Sequence, residues 1–399
     1  AYADCKFYET YIAELSARIA RLGAPSDKQR AKSLIEAYGK VSEALFHDML
    51  YRKYERLNEA RQEERPPFTM QNYRTYFRAF VERYPVVLST THSLCASIGA
   101  GHLLDYVIID ESSQVDILTA AVCCACCRNI VIIGDSRQLP HIVEEQLRAK
   151  AEELRDKHRV PDAYDYVRQN ILSSFKRVFA ERLPVTLLRE HYRCHPLIID
   201  FCNRKYYRNE LLIMTEPKGG YPFTVLTTTA SKTYSHNGRI YNQRQIDATC
   251  DWIERQHAEP EQIGVISPYR YHAQELRRCL PPGVEADTIH KFQGREKNTI
   301  VFHTVRSEIT AFLDDPNLIN VAVSRAVEHL VVVKTEGMWI AHGSDIDDLL
   351  RYIRFTCDDV DSVFITSPIR SVFDVLHTEY AAMRFASDAK RESPAERIA

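Results

Sequence analysis

Apolar residues near the start of the chain recur at three- and four-residue steps. They are Tyr8, Tyr11, Ile12, Leu15, Ile19 and Leu22, then Leu34, Tyr38, Val41, Leu45, Met49 and Leu57. That period predicts amphipathic helices, with a further helix over 69–84 ending at Pro85. From Val86 the pattern changes to short apolar runs bounded by turn residues: VVLST, YVIID and NIVIIGD. Such runs predict strands buried on both faces of a parallel sheet. A charged, helical stretch at about 144–180 separates them from a second set, PVTLL, FTVLT, IGVISP, TIVFHTV and HLVVVKT. The economical reading is two α/β domains in tandem. The expected organisation is a helical arm over 1–85, a first α/β domain over 86–150, a connector over 151–183 and a second α/β domain over 184–345. A linker follows over 346–399, with another helix in IRSVFDVLHTEYAAMRF.

Composition narrows the class without naming a partner. The 399 residues allow two or three cores, and 45% hydrophobic with 27% charged residues is ordinary for a globular protein. No apolar run is long enough to span a membrane, so none is expected as a partner. A net charge of −2 gives no global basic signature, and any nucleic-acid contact has to come from local grooves. Eleven cysteines without a signal peptide point to reduced thiols and a cytoplasmic location. Cys123, Cys124, Cys126 and Cys127 have overlapping C-x-x-C spacings that could suggest zinc. They lie in an apolar run with no second Cys or His pair at a finger-like distance, and read better as core. The sequence starts AYADCKF without methionine and stops at SPAERIA, and is read as part of a larger polypeptide.

Several segments carry chemistry. YVIIDESSQ places Asp110 and Glu111 at the carboxyl end of a strand, where one carboxylate can hold Mg²⁺ and the other polarise a water. In IVIIGDSRQLP, Gly134 permits a sharp turn before Asp135, and the Gln138 amide can both donate and accept. LLREHYRCHP offers Tyr192 for stacking and Arg193 as a cationic finger. In VEADTIHKFQGREKN, Thr288, His290 and Lys291 suit phosphate or sugar contacts, and the turn Gln293, Gly294, Arg295, Glu296 allows a close backbone approach. NLINVAVSRA contributes Arg325 as a second cationic finger.

In order and spacing, DESSQ, GDSRQLP, HYRCHP, TIHKFQGREKN and NVAVSRA resemble motifs II to VI of superfamily 1 helicases. The likeness is to the 1B branch of RNA-decay and DNA-replication helicases that move 5′ to 3′. It covers about residues 86–335. VVLSTTHSL resembles that family's nucleic-acid-contacting segment before motif II, and IGVISPYRYHAQEL resembles its motif IVa. The resemblance implies two RecA-like parallel-sheet domains, the first incomplete, with an N-terminal helical insertion. It implies ATP and Mg²⁺, with Asp110 on the metal and Glu111 activating water. Gln138, Arg193 and Arg325 would contact the γ-phosphate and Glu296 the ribose or triphosphate, with Gly134, Asp135, Gly294 and Arg295 lining the nucleotide and Tyr192 stacking on its base. Ser89, Thr90, Ser267, Tyr269, Thr288 and His290 would line a track for single-stranded DNA or RNA.

The chain departs from that family in one large respect. No G-x-x-x-x-G-K-[ST] loop occurs in it, so it lacks a backbone nest and a lysine for the phosphates. Residues 1–399 alone are therefore expected to hydrolyse ATP poorly, and the loop is expected upstream of Ala1. A non-hydrolysing RecA-like scaffold that binds nucleic acid or a partner is the alternative. VSRA replaces the family's frequent TRA and retains a hydroxyl. The tail faintly resembles a junction to a restriction-endonuclease-like nuclease, which raises a fused nuclease domain as a further expectation.

Overall fold

The computed structural model describes residues 28–59, 68–229, 233–236, 239–256 and 258–369. The helices expected over 8–22 and in the tail after 369 lie outside them. The chain divides into two units, one ending at Tyr76 and the other beginning at Phe77. In the first, α1 (Lys28–Glu59) follows the helical period of the sequence, and Arg52 pairs with Asp48 one turn away at 2.9 Å. Its stripe of Ile35, Tyr38, Val41, Leu45 and Met49 is exposed. Of the helix expected over 69–84, only α2 (Phe77–Arg83) is regular, preceded by turns.

The second unit begins with α2 and continues through α3 (Leu94–Ser97), β1 (Leu104–Ile109), α4 (Ile117–Cys124) and β2 (Cys127–Ile132). β1 and β2 pair in parallel. Asp116 caps α4, its carboxylate accepting from the Leu118 and Thr119 amides. Burial on both faces fails here. Val107 and Ile109 are buried, but Tyr106 and Ile108 on the opposite face are 63% and 64% exposed. VVLST is not a strand and pairs with none among the described residues, because its apolar alternation meets no neighbouring edge; Leu88 is 93% exposed. Cys123 and Cys126 are core residues of this sheet, and burial, with the neighbouring thiols, pushes the Cys123 thiol up to about 11.

Helices α5 (Glu145–His158) and α6 (Ile171–Phe179) form the expected connector, α6 opening on an Asn170–Ser173 capping box. PVTLL is a second correction. It is irregular, mostly exposed and paired with no strand, and only β3 (Glu190–His191) beyond it finds a partner, β4 (Leu212–Ile213), across α7 (Pro196–Tyr206).

The larger sheet combines β5 (Phe223–Thr228), β8 (Ile263–Ser267), β9 (Glu285–Thr288), β10 (Lys297–His303), β11 (Ala326–Thr335) and β12 (Phe364–Thr366). Its order is β12-β5-β11-β10-β8-β9, with every pair parallel. A small antiparallel pair, β6 (Tyr234–His236) and β7 (Arg239–Tyr241), precedes α8 (Gln243–Glu254). Alternate strand residues feed two cores. Ile300, Phe302, Leu330 and Val332 pack with α7, α11 (Pro316–Ser324) and α12 (Asp345–Thr356); Val301, Val331 and Val333 pack with α8 and α9 (Arg270–Cys279). Here the continuous apolar runs mean burial on both faces, as such runs in parallel sheets do. The short α10 (Ile289–Phe292) joins β9 to β10. Residues 346–366, expected to begin a linker, instead carry the rest of α12, α13 (Val360–Val363) and β12, which joins the sheet edge beside β5. The large parallel sheet with helices on both faces is consistent with a RecA-like fold.

Candidate functional site

The β1 strand delivers Asp110 and Glu111 to its carboxyl end. Glu111 is left-handed at φ 47°, and its amide donates to Asp110 Oδ1 at 2.8 Å. A bulky residue accepts that conformation only where surroundings impose it. The Glu111 carboxylate is met from the larger sheet: Gln293 Nε2 donates to its Oε2 at 3.1 Å. Beside this contact, Arg325, only 2% exposed, donates to Gln138 Oε1 at 3.3 Å and to the Arg295 carbonyl at 3.4 Å. Burial first, then the neighbouring Arg193 charge, lowers the Arg325 pKa. Burial also opposes the Arg193 charge and is the largest single influence on it, but the bond to Glu296 at 2.9 Å, together with the Glu296 charge and Cys194, raises its pKa on balance.

Local chemistry explains why these two arginines meet. His191 Nε2 accepts the Cys194 amide at 2.9 Å, and burial with the Arg193 charge lowers His191 to about 4, so the ring stays neutral and holds the turn. The Cys194 thiol donates to the Ser324 carbonyl at 3.3 Å, tying the Arg193 turn to the residue before Arg325. Arg325 Nε, Arg193 Nε and Gln293 Oε1 are buried with no hydrogen-bond partner among the described residues. Unpaired polar atoms of this kind are costly unless a ligand or water meets them.

The turn after β2 docks on the larger sheet. Leu139 is buried in that sheet's core. Asp135 Oδ2 accepts from Tyr207 Oη at 2.6 Å and from Gln138 Nε2 at 3.3 Å. Asn320 Nδ2 donates to Tyr207 Oη and to the Arg137 carbonyl, each at 2.8 Å. Gly134 is required by space, since a Cβ there would lie 2.2 Å from Ser112 Oγ.

The remaining candidates lie elsewhere. Gly294 has φ +77°, as its turn requires, while the Arg295 guanidinium pairs with Glu285 on the edge strand β9. Tyr192 is 63% exposed, its hydroxyl on the Glu190 carboxylate. Ser267 and Thr288 sit side by side at the carboxyl ends of β8 and β9. Ser267 is fully buried and its hydroxyl bonds the backbone of Tyr269, while burial lowers the pKa of His290. Ser89 and Thr90 are in the segment before α3, where Thr90 Oγ1 donates to Ser93 Oγ at 3.0 Å. Thus Arg193, Glu296 and Arg325 gather where β10 and β11 begin, and Ser267, Tyr269 and Thr288 where β8 and β9 end. The contacts of Gln293, Tyr207 and Asn320 carry no local sequence signal, because each is made to a residue 72 to 183 positions away.

Two family models, each described as an AAA domain, match residues 10–146 and 171–336. A probable helicase of Dictyostelium discoideum is 28% identical over 266 residues, covering 60% of this chain and 25% of the relative. The DNA replication ATP-dependent helicase/nuclease of Gallus gallus is 27% identical over 275 residues, covering 62% of this chain and 25% of its own length. The ATP-dependent helicase NAM7 of Saccharomyces cerevisiae is 26% identical over 364 residues, covering 81% and 36% respectively. The chain is homologous to these helicases and to AAA-type ATPase domains, and spans from a quarter to about a third of those relatives' lengths.

Proposed function

We propose that this chain supplies the water-activating and strand-gripping parts of an ATP-dependent helicase or translocase acting on single-stranded DNA or RNA. By resemblance it belongs to the branch that moves 5′ to 3′ on two RecA-like domains. The observation that carries the reading is the Gln293–Glu111 bond beside two clustered guanidiniums. A carboxylate and two guanidiniums brought together, with guanidinium nitrogens left unsatisfied, suit an anionic group that passes through a more highly charged state.

The residue set fits a terminal phosphate. Arg193 and Arg325 neutralise charge that develops on its oxygens, and Gln138, bonded to Arg325, steadies that guanidinium. Glu111, oriented by Gln293, aligns a water and takes its proton. Among the described residues no group of three His, Cys, Asp or Glu side chains could hold a metal. A single carboxylate, Asp110, is still in keeping with Mg²⁺, which retains waters and takes substrate oxygens. When bound, Mg²⁺ would neutralise phosphate charge. The inner phosphates have no cradle in this sequence, so the full gene product is the protein to assay.

ATP hydrolysis by the full gene product should rise when single-stranded nucleic acid is added. Glu111→Gln should abolish that rise while leaving nucleotide binding, because a glutamine oxygen still accepts from Gln293. Equal turnover in the variant would remove the assignment. The missing phosphate loop favours a second reading, a non-hydrolysing scaffold, and strand binding without any ATPase in the full product would select it.

A further inference from the structure

Past the end of β10 the backbone takes a conformation that needs explaining. Val305 has φ 64°, and the Arg306 amide donates to the Thr304 carbonyl at 2.7 Å, closing a γ-turn of the strained, positive-φ hand. For a β-branched residue this is a genuine outlier. It is sustained by buried side chains from the start of α8. Gln245 Oε1 accepts the Val305 amide at 2.9 Å, and Asn242 Nδ2 donates to the Val305 carbonyl at 3.1 Å. Gln245 Nε2 and Asn242 Nδ2 both reach Thr335 Oγ1, at 3.1 and 3.3 Å. Val305, Asn242 and Gln245 are all fully buried.

A polar cluster of this kind costs stability unless every member is satisfied, and it enforces one backbone geometry. What it aims is Arg306. Its Nε donates to Tyr269 Oη at 2.8 Å and its guanidinium lies 5.4 Å from the centre of that ring. Phe312, 47% exposed, lies 5.8 Å beyond Tyr269. Arg306 has no carboxylate partner among the described residues, so its charge is held in place without being neutralised. A fixed cation beside two aromatic faces is the combination that grips single-stranded nucleic acid, charge on phosphate and ring on base.

We propose that Arg306 is a phosphate contact for single-stranded nucleic acid, flanked by Tyr269 and Phe312 as the base-facing surface, and that Asn242 and Gln245 are positioning residues holding the Val305 turn. This rests on the strand-binding reading above and adds the residue and the device that aims it.

The test is anisotropy of labelled oligodeoxythymidine and oligouridine with the full chain across a salt series. Arg306→Ala should weaken both by about tenfold and lower the slope of log affinity against log salt by roughly 0.7, the value of one single-strand phosphate contact. Arg306→Lys should keep most of the slope. Gln245→Ala should weaken binding with no charge removed. Adding Val305→Gly to Gln245→Ala should restore it, because glycine adopts positive φ unaided. A general structural defect at Gln245 would not be rescued that way, and absence of rescue overturns the positioning role. Wild-type affinity and slope in Arg306→Ala overturn the contact while the strand-binding reading stands. A wild-type chain that binds neither oligonucleotide overturns both.

Discussion

Gly134 and the His272–His303 pair show how much a single position can decide. A methyl at Gly134 meets a buried Ser112 hydroxyl, its amide and Leu172. Gly134→Ala should therefore cost about 1–3 kcal/mol in denaturant unfolding, and Ser112→Ala in the same chain should recover part of it. In the larger sheet, the Asn242 amide donates to His272 Nδ1, which leaves His272 Nε2 to donate to His303 Nδ1 at 2.9 Å and His303 Nε2 to donate to Thr249. Both rings are thereby neutral; burial lowers His303 to about 3 and, with the His303 charge, lowers His272 well below its usual value. Because the folded values lie below the unfolded value near 6.5, this stability is complete above pH 6.5 and is lost as pH falls from there toward 3. Unfolding free energy followed from pH 7 to 5 should fall in the native chain and fall less steeply in His303→Phe. None of this was legible from the sequence, since a histidine's tautomer depends on partners distant along the chain.

Elements were legible where local pattern and tertiary environment agree. IGVISP, TIVFHTV and HLVVVKT became strands because each meets a parallel neighbour on either side. VVLST and PVTLL have the same texture but no such neighbours among the described residues, and periodicity cannot report a missing edge. β12 was missed for the converse reason: FIT is short, and only its register beside β5 makes it a strand. The caps are a local feature, readable from residue type. Asn170 accepts the Ser173 amide at 2.9 Å at the start of α6, so Asn170→Ala should lower stability by about 1 kcal/mol in chemical denaturation.

At the scale of the whole second unit, order along the chain pointed to the acidic strand end, the turn after β2 and both arginines, but not to how they join. The joint is Tyr207, whose hydroxyl bonds Asp135 and receives Asn320. Tyr207→Phe removes that bond while preserving the ring. In the full gene product it should leave basal ATPase within about twofold and reduce its stimulation by single strands severalfold, a split read by assaying with and without oligonucleotide. β10 carries a further consequence. It starts directly after Glu296 and ends just before Thr304 and the Val305 turn. Its seven residues span about 23 Å at ~3.3 Å each, and it is paired on both sides from Thr299 to Phe302, after an irregular register between Lys297 and Thr299. A strand so flanked is held extended over its paired length, so the sites at its two ends keep a set separation. The arginine cluster and the Arg306 platform are in that sense the two marks on one ruler.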